Sequence, residues 1–347
     1  MDSEPLLFDL GPPTTRRVAD LVKHGGVAAL TEADRRADAA AYQEVRCRSA
    51  LNHVTGMRYF EWTLNPYRGC THGCHYCYAR RYHSQFELGA GDEFASVILV
   101  KTNFVEVLRR ELAKPTWTRD VIGLGTATDC YQPIEGHYKL TRRTLETLIE
   151  FNSPAGVITK GPMIVRDKAL LARLSAIDGS SVVVSVPCSD PDVTARLEPG
   201  TAAPHQRLRA VRELLDAGVN AGVLMSPIVP GISSKPSLLE RTIKDAAAAG
   251  VPIVGSNVMH LQGGTRDHFM AWLARECPEL VEGYTKLYAR DYAPASYANG
   301  VKKVVSGLRT RYGPGSRDIR AARSGSTASG SRTPIRRSIS PAAARPR

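Results

Sequence analysis

Three cysteines within one short run are the part of this sequence best suited to chemistry. Cys70, Cys74 and Cys77 form a C-x₃-C-x₂-C run, CTHGCHYC, with a tyrosine just before the last cysteine. Cysteine thiolates are the usual ligands of iron–sulfur clusters. Three thiolates leave a cubane cluster one ligand short, and an open position on a metal is what separates catalytic from structural zinc sites. The spacing therefore predicts a catalytic iron–sulfur centre.

A structural zinc site is the alternative interpretation of the same run. His72 or His75 could complete a four-ligand set with the three cysteines, because structural zinc is bound by four cysteine and histidine side chains. A two-cluster ferredoxin matches less well, since its cysteines follow a C-x₂-C-x₂-C-x₃-C spacing. The identity of the bound metal and the colour of the protein distinguish the iron–sulfur interpretation from the zinc interpretation.

The other cysteines and the overall composition indicate a protein of a reducing compartment. The chain has 347 residues, seven cysteines and 43% hydrophobic residues. An odd number of cysteines, clustered in this way, suits a metal site better than a disulfide framework. The N-terminal residues lack the basic and long apolar segments of a secretion signal, and no apolar run approaches the ~18 residues of a membrane span. We therefore expect a cytoplasmic protein without membrane association.

Short apolar runs alternate with amphipathic stretches along the chain. A strand is predicted within RYFEWTLNPYRGC (58–70), and further strands within SVILV (96–100), VIGLGTATD (121–129), GVITKG (156–161), SVVVSVP (181–187), NAGVLMSPIVPG (220–231) and VPIVGSNVMHL (251–261). Continuous apolar runs are typical of parallel strands buried on both faces, with helices as right-handed crossovers. No G-x-G-x-x-G motif favours a doubly wound sheet. The pattern predicts an α/β fold, a partial (β/α)₆ TIM-like barrel with chemistry at the carboxyl ends of its strands.

Three segments are predicted. Residues 1–54 form an N-terminal extension with one short helix around Glu32 to Tyr42, and 55–312 form the barrel domain with C-terminal helices. Residues 313–347 are rich in Arg, Ser and Pro and poor in large apolar side chains, so we expect a disordered tail.

Most of the positive charge lies in that tail. Its eight arginines and single aspartate carry +7 of the formal net charge of +12. A basic tail of this kind either keeps a protein in solution or neutralises phosphates of a nucleic acid. Combined with the zinc interpretation of the cysteines, the tail defines the alternative class, a zinc-containing nucleic-acid-binding protein without radical chemistry.

The loop NPYRGCTHGCHYCYAR (65–80) resembles the signature loop of radical S-adenosylmethionine (SAM) enzymes, in particular the spore photoproduct lyase-like branch. Further segments occur in the order of that branch: RSALN (48–52), GTATDCYQPIE (125–135), LTRRTLE (140–146), ITKGP (158–162), LEPGT (197–201) and SPIVPGIS (226–233). The resemblance implies a radical SAM partial barrel with a [4Fe–4S] cluster on Cys70, Cys74 and Cys77. It further implies binding of S-adenosyl-L-methionine to the cluster, a one-electron donor such as flavodoxin or ferredoxin, and a 5′-deoxyadenosyl radical made by the cofactor.

The resemblance also assigns cofactor-binding roles to seven other residues. Tyr76 and Tyr78 are expected to line the cluster and nucleoside, Thr126, Thr128 and Asp129 to contact the cofactor from a strand end, Lys160 to bind its carboxylate and Ser185 its ribose. The presence of these residues can also be explained without a cofactor, because threonine favours strands and polar residues at strand ends are often only solvated.

The chain departs from the branch at one position that matters for the reaction. Spore photoproduct lyase has a hydrogen-donating cysteine three residues before the strand-end aspartate, and Thr126 stands there in this chain. The lyase activity itself is therefore not expected. Cys130 and Cys188 directly follow two predicted strands and are the candidate catalytic thiols, although buried free cysteine often serves only packing. Cys47 and Cys277 are expected to be structural.

Overall fold

A computed structural model describes residues 8–9, 40–57, 59–86 and 89–313 of the chain. Nearly all of the predicted tail lies outside these residues. Most of the helix predicted from Glu32 to Tyr42 also lies outside the described residues. Its last residues are described, and they belong to a strand that continues to Cys47. The helix prediction is therefore wrong at this end, because this segment alternates buried and more exposed side chains and pairs with a neighbouring strand.

The described residues form eleven strands and eleven α-helices. The strands are β1 (Phe8–Asp9), β2 (Ala41–Cys47), β3 (Asn52–His53), β4 (Trp62–Leu64), β5 (Tyr67–Arg68), β6 (Val97–Lys101), β7 (Ile122–Leu124), β8 (Ala155–Thr159), β9 (Ser181–Ser185), β10 (Ala221–Ile228) and β11 (Ile253–Val258). The helices are α1 (Glu93–Ser96), α2 (Phe104–Leu112), α3 (Glu135–Tyr138), α4 (Leu140–Glu150), α5 (Lys168–Ser175), α6 (Pro191–Leu197), α7 (Pro204–Asp216), α8 (Pro236–Ala248), α9 (Gly263–Glu276), α10 (Val281–Leu287) and α11 (Ala295–Tyr312). Three 3₁₀ helices cover Tyr78–Phe86, Pro162–Asp167 and Pro278–Leu280.

The larger sheet has the strand order β11-β10-β9-β8-β7-β4-β3. Its first six strands are all parallel to their neighbours, and only the edge strand β3 is antiparallel. Along the middle of the sheet Leu64 pairs with Leu124, and Leu124 with Val157. Helices α4, α5, α7 and α8 connect successive parallel strands. This arrangement confirms the predicted partial (β/α)₆ barrel.

One predicted barrel strand belongs elsewhere. The SVILV run forms β6, which lies in a second sheet of order β1-β2-β6-β5. It pairs in parallel with β2 and antiparallel with β5. A buried apolar strand looks the same in either sheet, so the sequence pattern alone could not distinguish them.

The core of the barrel lies between the parallel strands and the helices packed on them. Ile122, Val157, Val184 and Val223 from four neighbouring strands are fully buried. On α7 the buried residues include Leu208, Val211 and Leu214, whose spacing places them on one helical face. Such burial makes the strands a rigid support for the loops at their carboxyl ends.

No helix within residues 8–9, 40–57, 59–86 and 89–313 is both long and apolar enough to cross a membrane.

Candidate active site

The three cysteines lie on the loop between β5 and the 3₁₀ helix that begins at Tyr78. Gly69 precedes this loop with φ +81°, and a Cβ there would lie 2.5 Å from the Val97 carbonyl oxygen, so only glycine fits. The Cys70 N–H donates to the Phe94 carbonyl (2.9 Å). Within the loop, the Cys77 N–H donates to the Cys74 carbonyl (3.2 Å). The backbone thus turns tightly and brings the cysteines together.

Thr128 and Gln132 attach this loop to the end of barrel strand β7. The Thr128 hydroxyl and the Gln132 amide both donate to the Gly69 carbonyl, at 2.6 and 3.2 Å. The Gln132 side-chain oxygen accepts from the Thr71 N–H (3.2 Å). Thr128 is therefore a support of the cysteine loop, and Gln132 is a further support that the sequence analysis missed. Its only signal was its place in the GTATDCYQPIE segment.

Arg80 is a second missed residue, buried behind the loop. Its guanidinium donates to the carbonyl oxygens of Gly73 (2.8 Å), Cys74 (3.0 Å), Ala90 (3.1 Å) and Gly91 (2.6 Å). The same positive charge interacts with all three cysteine thiols. A rigid planar donor of this kind fixes loop geometry and favours thiolates beside it.

The three thiols form the donor set that a cluster requires. Cys70 and Cys74 are buried and Cys77 is half-buried. Burial raises the pKa of Cys70. It also raises the pKa of Cys74 to about 12, although the positive charge of Lys160 acts to lower that pKa. Such thiols lose their protons when they bind a metal. Of the two candidate fourth zinc ligands, His72 has its Nδ1 3.3 Å from the Asp129 carboxylate, and no contact of the described residues favours the four-ligand zinc alternative.

Asp129 lies in the loop that follows β7 and is already hydrogen-bonded within the protein. Its carboxylate accepts from the Tyr131 N–H (2.9 Å), the Thr159 hydroxyl (2.5 Å) and the Lys160 N–H (2.6 Å). His72 Nδ1 lies 3.3 Å from the same carboxylate. Burial alone would raise the pKa of Asp129, but the contact with His72 and the hydrogen bonds lower it well below its usual range. Asp129 thereby joins two strand ends to the cysteine loop.

Lys160 follows barrel strand β8 and reaches toward the cysteine loop. Its Nζ lies 5.6 Å from the centre of the Tyr76 ring, a cation–π contact. Its charge also acts on the Cys74 thiol. Among the described residues, no carboxylate forms an ion pair with Lys160, whereas arginines such as Arg207 do have acidic partners. The ammonium group is therefore able to take an anionic ligand.

Tyr78 and Thr126 meet at the mouth of the barrel. The Tyr78 hydroxyl donates to the Thr126 carbonyl oxygen, and Tyr78 as a residue is 36% exposed. Thr126 is positioned by Asn65, whose side-chain amide donates to the Thr126 hydroxyl (3.3 Å) and accepts from the Ala127 N–H (2.7 Å). The structure thus brings both predicted residues to the edge of the site.

Tyr76 and Ser185, like Thr128, are buried members of the predicted set. The Tyr76 hydroxyl donates to the Glu198 carboxylate. Ser185 ends strand β9, and its carbonyl oxygen accepts from Arg207 (3.1 Å). Ser185 is therefore linked to Tyr76 through two residues that the sequence analysis did not single out.

Cys130 and Cys188 are buried in the protein interior. Cys130 is fully buried, and its Sγ donates to the Ile158 carbonyl at 3.7 Å. Cys188 is 2% exposed. Burial raises the pKa of both thiols. This environment is typical of inert packing cysteines, and the hydrogen-donor role of either thiol stays a prediction.

With this partial barrel and this cysteine loop, the chain belongs to the radical SAM superfamily, whose sequence model matches residues 64–236. The protein is therefore an enzyme of S-adenosylmethionine-dependent radical chemistry. An uncharacterized protein of Mycobacterium tuberculosis strain H37Rv is 38% identical over 278 residues, which cover 79% of this chain and 82% of that protein. An uncharacterized protein of the Acidianus two-tailed virus is 26% identical over 224 residues, covering 61% and 71%.

Solved structures of spore photoproduct lyase share the fold. The lyase complexed with dinucleoside spore photoproduct superposes with a TM-score of 0.63 at 15% identity, covering 86% of this chain and 91% of the lyase chain. A cysteine-to-serine mutant of the lyase gives 0.60 at 16% identity, with the same coverage. These structures confirm the resemblance to the lyase-like branch at the level of the fold.

Proposed function

We propose that Cys70, Cys74 and Cys77 hold a [4Fe–4S] cluster at which S-adenosylmethionine binds. When bound, the cluster and cofactor supply a 5′-deoxyadenosyl radical by one-electron reductive cleavage, and this radical abstracts hydrogen from a substrate. The observation that carries the proposal is one short loop with three cysteines, which interact electrostatically with one another and with the buried Arg80, and which is hydrogen-bonded to the segment after barrel strand β7.

The residues around the thiols have separate tasks in this proposal. Lys160, which has no acidic partner among the described residues, binds the cofactor carboxylate. The ring of Tyr76, which lies against Lys160, forms one wall of the cofactor site. Asp129 contacts both the Lys160 backbone and the cysteine loop and so fixes their relative position. Ser185 contributes on the ribose side from the end of β9.

The remaining wall lies at the barrel mouth. There Thr126 lies beside the loop, Thr128 holds the loop through its hydrogen bond to the Gly69 carbonyl, and Tyr78 closes the rim through its hydrogen bond to Thr126.

The substrate class that we propose to test first is nucleic acid. Support comes from the fold shared with a lyase solved in complex with a dinucleoside, and from the arginines of residues 314–347. Thr126 in place of the lyase's donor cysteine argues for a reaction other than that of the lyase. A one-electron donor such as flavodoxin or ferredoxin would supply the electron, and a reducing cytoplasm suits seven free cysteines.

Anaerobic reconstitution with iron and sulfide tests the proposal. The full chain should turn brown, carry about four irons, as a [4Fe–4S] cluster requires, lose visible absorption with dithionite, and form 5′-deoxyadenosine from S-adenosylmethionine. Replacing any one of the three loop cysteines by Ala should abolish stable iron binding, whereas Cys47→Ala, in a separate core cluster that contains none of the loop cysteines, should retain it. Colourless protein with one zinc per chain, or full iron content in Cys77→Ala, would contradict the assignment.

A further inference from the structure

A buried ion pair lies behind the cysteine loop, outside the set of proposed ligands. Glu198 follows helix α6 and Arg207 belongs to α7, and an Arg207 Nη lies 2.5 Å from a Glu198 carboxylate oxygen. Their side chains are 2% and 0% exposed, respectively. A buried ion pair is weak evidence for stability, because the desolvation of both charges offsets their attraction, and a gain in structural specificity is the better reason to keep one.

The second oxygen of Glu198 points to the cysteine loop. It accepts a hydrogen bond from the hydroxyl of Tyr76, the residue directly before Cys77. Lys160 Nζ lies over the ring of the same tyrosine, 5.6 Å from its centre. The Tyr76 side chain is therefore held at its hydroxyl by Glu198, while its ring contacts the cation proposed to bind the cofactor carboxylate.

Arg207 ties this arrangement to the barrel. Its guanidinium donates to the carbonyl oxygen of Ser185 (3.1 Å), at the end of β9, and to that of Ala202 (2.8 Å). A strand end is among the most rigid positions of the fold. A continuous chain of polar contacts thus runs from β9 through Arg207 and Glu198 to Tyr76.

The segment that carries Glu198 also touches the cysteine loop directly, backbone against backbone. The His75 N–H donates to the Leu197 carbonyl (3.0 Å), and the Gly200 N–H donates to the His72 carbonyl (2.9 Å). A Cβ on Gly200 would clash with the Thr71 carbonyl oxygen. No side chain fits between the two segments at this point, so the position of one determines the position of the other.

We propose that Glu198 and Arg207 are positioning residues for S-adenosylmethionine, which act by holding the Tyr76 ring in one orientation beside Lys160. The inference rests on the proposed function and deepens it, because it names two residues that act on cofactor binding without belonging to the cluster ligands. Neither residue is required to touch the cofactor. Their effect passes through one hydrogen bond, from the Tyr76 hydroxyl to Glu198.

The test uses single variants of the full, reconstituted protein. Tyr76→Phe removes only the hydroxyl and leaves the ion pair intact, so it keeps the test valid even where Glu198→Ala fails to fold. Glu198→Gln retains an amide oxygen able to accept from Tyr76 and serves as the conservative rescue. Asp216→Ala, in the exposed Arg212–Asp216 pair on the same helix as Arg207, is the matched control.

Three quantities are measured for each variant. They are the iron content, the dissociation constant for S-adenosylmethionine by calorimetry, and the change in the electron paramagnetic resonance spectrum on cofactor addition. Tyr76→Phe and Glu198→Ala should bind the cofactor about tenfold more weakly, the effect of losing one buried hydrogen bond, with iron content unchanged. Glu198→Gln should stay closer to the wild type and Asp216→Ala should equal it. The double variant Tyr76→Phe/Glu198→Ala should be no weaker than Glu198→Ala, since both changes remove the same contact.

The two hypotheses fail in different ways. A wild-type protein that binds neither iron nor cofactor overturns the proposed function. A wild-type protein that binds both, with Tyr76→Phe binding the cofactor equally well, overturns only the positioning role. Loss of iron in Tyr76→Phe, or additive effects in the double variant, would likewise overturn it, because Tyr76 would then support the cluster or act independently of Glu198.

Discussion

The carboxylate of Asp129 accepts a hydrogen bond of 2.6 Å from the backbone N–H of Lys160. This contact joins the loop after β7 to the end of β8, and it fixes the point from which the Lys160 side chain extends. The same carboxylate lies 3.3 Å from His72, on the cysteine loop. One acidic side chain thus sets the relative position of a cation and the loop that carries three thiols.

Lys160→Met should weaken S-adenosylmethionine binding by about tenfold or more, because a charge-assisted contact to a carboxylate is lost. Iron content should not change, since Lys160 is not a thiol ligand. Equilibrium binding to the reconstituted protein checks this, with the exposed Lys168→Met as control. If Lys160→Met binds the cofactor as the wild type does, the role assigned to Lys160 is wrong.

Arg80→Lys should destabilise the protein by about 2 kcal/mol or more, because an ammonium cannot reproduce the guanidinium's hydrogen bonds to several buried carbonyls. It should also speed the loss of iron to a chelator. Urea unfolding and chelator kinetics measure the two effects. Arg109→Lys, in an exposed ion pair with Glu150, should change neither, and an Arg80→Lys protein equal to the wild type would show that the loop is braced by other contacts.

The burial of Lys101 predicts that the free energy of unfolding depends on pH. It is 3% exposed, and burial, together with the charge of Arg68, lowers its pKa from 10.5 to about 7. Between these values the unfolded chain binds more protons than the folded protein, so stability rises as pH increases, by at most about 1.4 kcal/mol per pH unit. Lys101→Met should flatten this rise.

Urea unfolding of the metal-free protein between about pH 7 and 8.5, below the usual pKa of cysteine, measures the slope. The exposed Lys114→Met should keep the slope of the wild type. Identical slopes in the wild type and Lys101→Met would mean that Lys101 stays charged in the folded protein.

Cys130→Ala should retain full iron content and should cleave S-adenosylmethionine at the wild-type rate without substrate. The expected cost is about 1 kcal/mol of stability, because a small buried side chain is shortened. Iron analysis, 5′-deoxyadenosine formation and thermal unfolding are the measurements, with Cys188→Ala in parallel. Loss of iron would make Cys130 a support of the cluster, and altered turnover of an identified substrate would support its role as hydrogen donor.

The order of strands and helices could be predicted from the sequence, because parallel strands buried on both faces leave nearly continuous apolar runs. The assignment of β6 to the barrel was wrong for the same reason. Its partner β2 lies 56 residues earlier in the chain, Ala41 pairing with Val97. Hydrophobic periodicity reports burial but not the identity of the neighbouring strand.

The candidate site was likewise predictable from the sequence only in part. The residue types and spacing of Cys70, Cys74 and Cys77 predicted a metal site from the sequence alone, and the resemblance of their loop to that of radical SAM enzymes favoured a [4Fe–4S] cluster over zinc. Only the tertiary structure decided what holds their loop in place. Tyr76 and Glu198 are 122 positions apart, and contacts over such distances arise from the packing of whole elements, which no local pattern encodes.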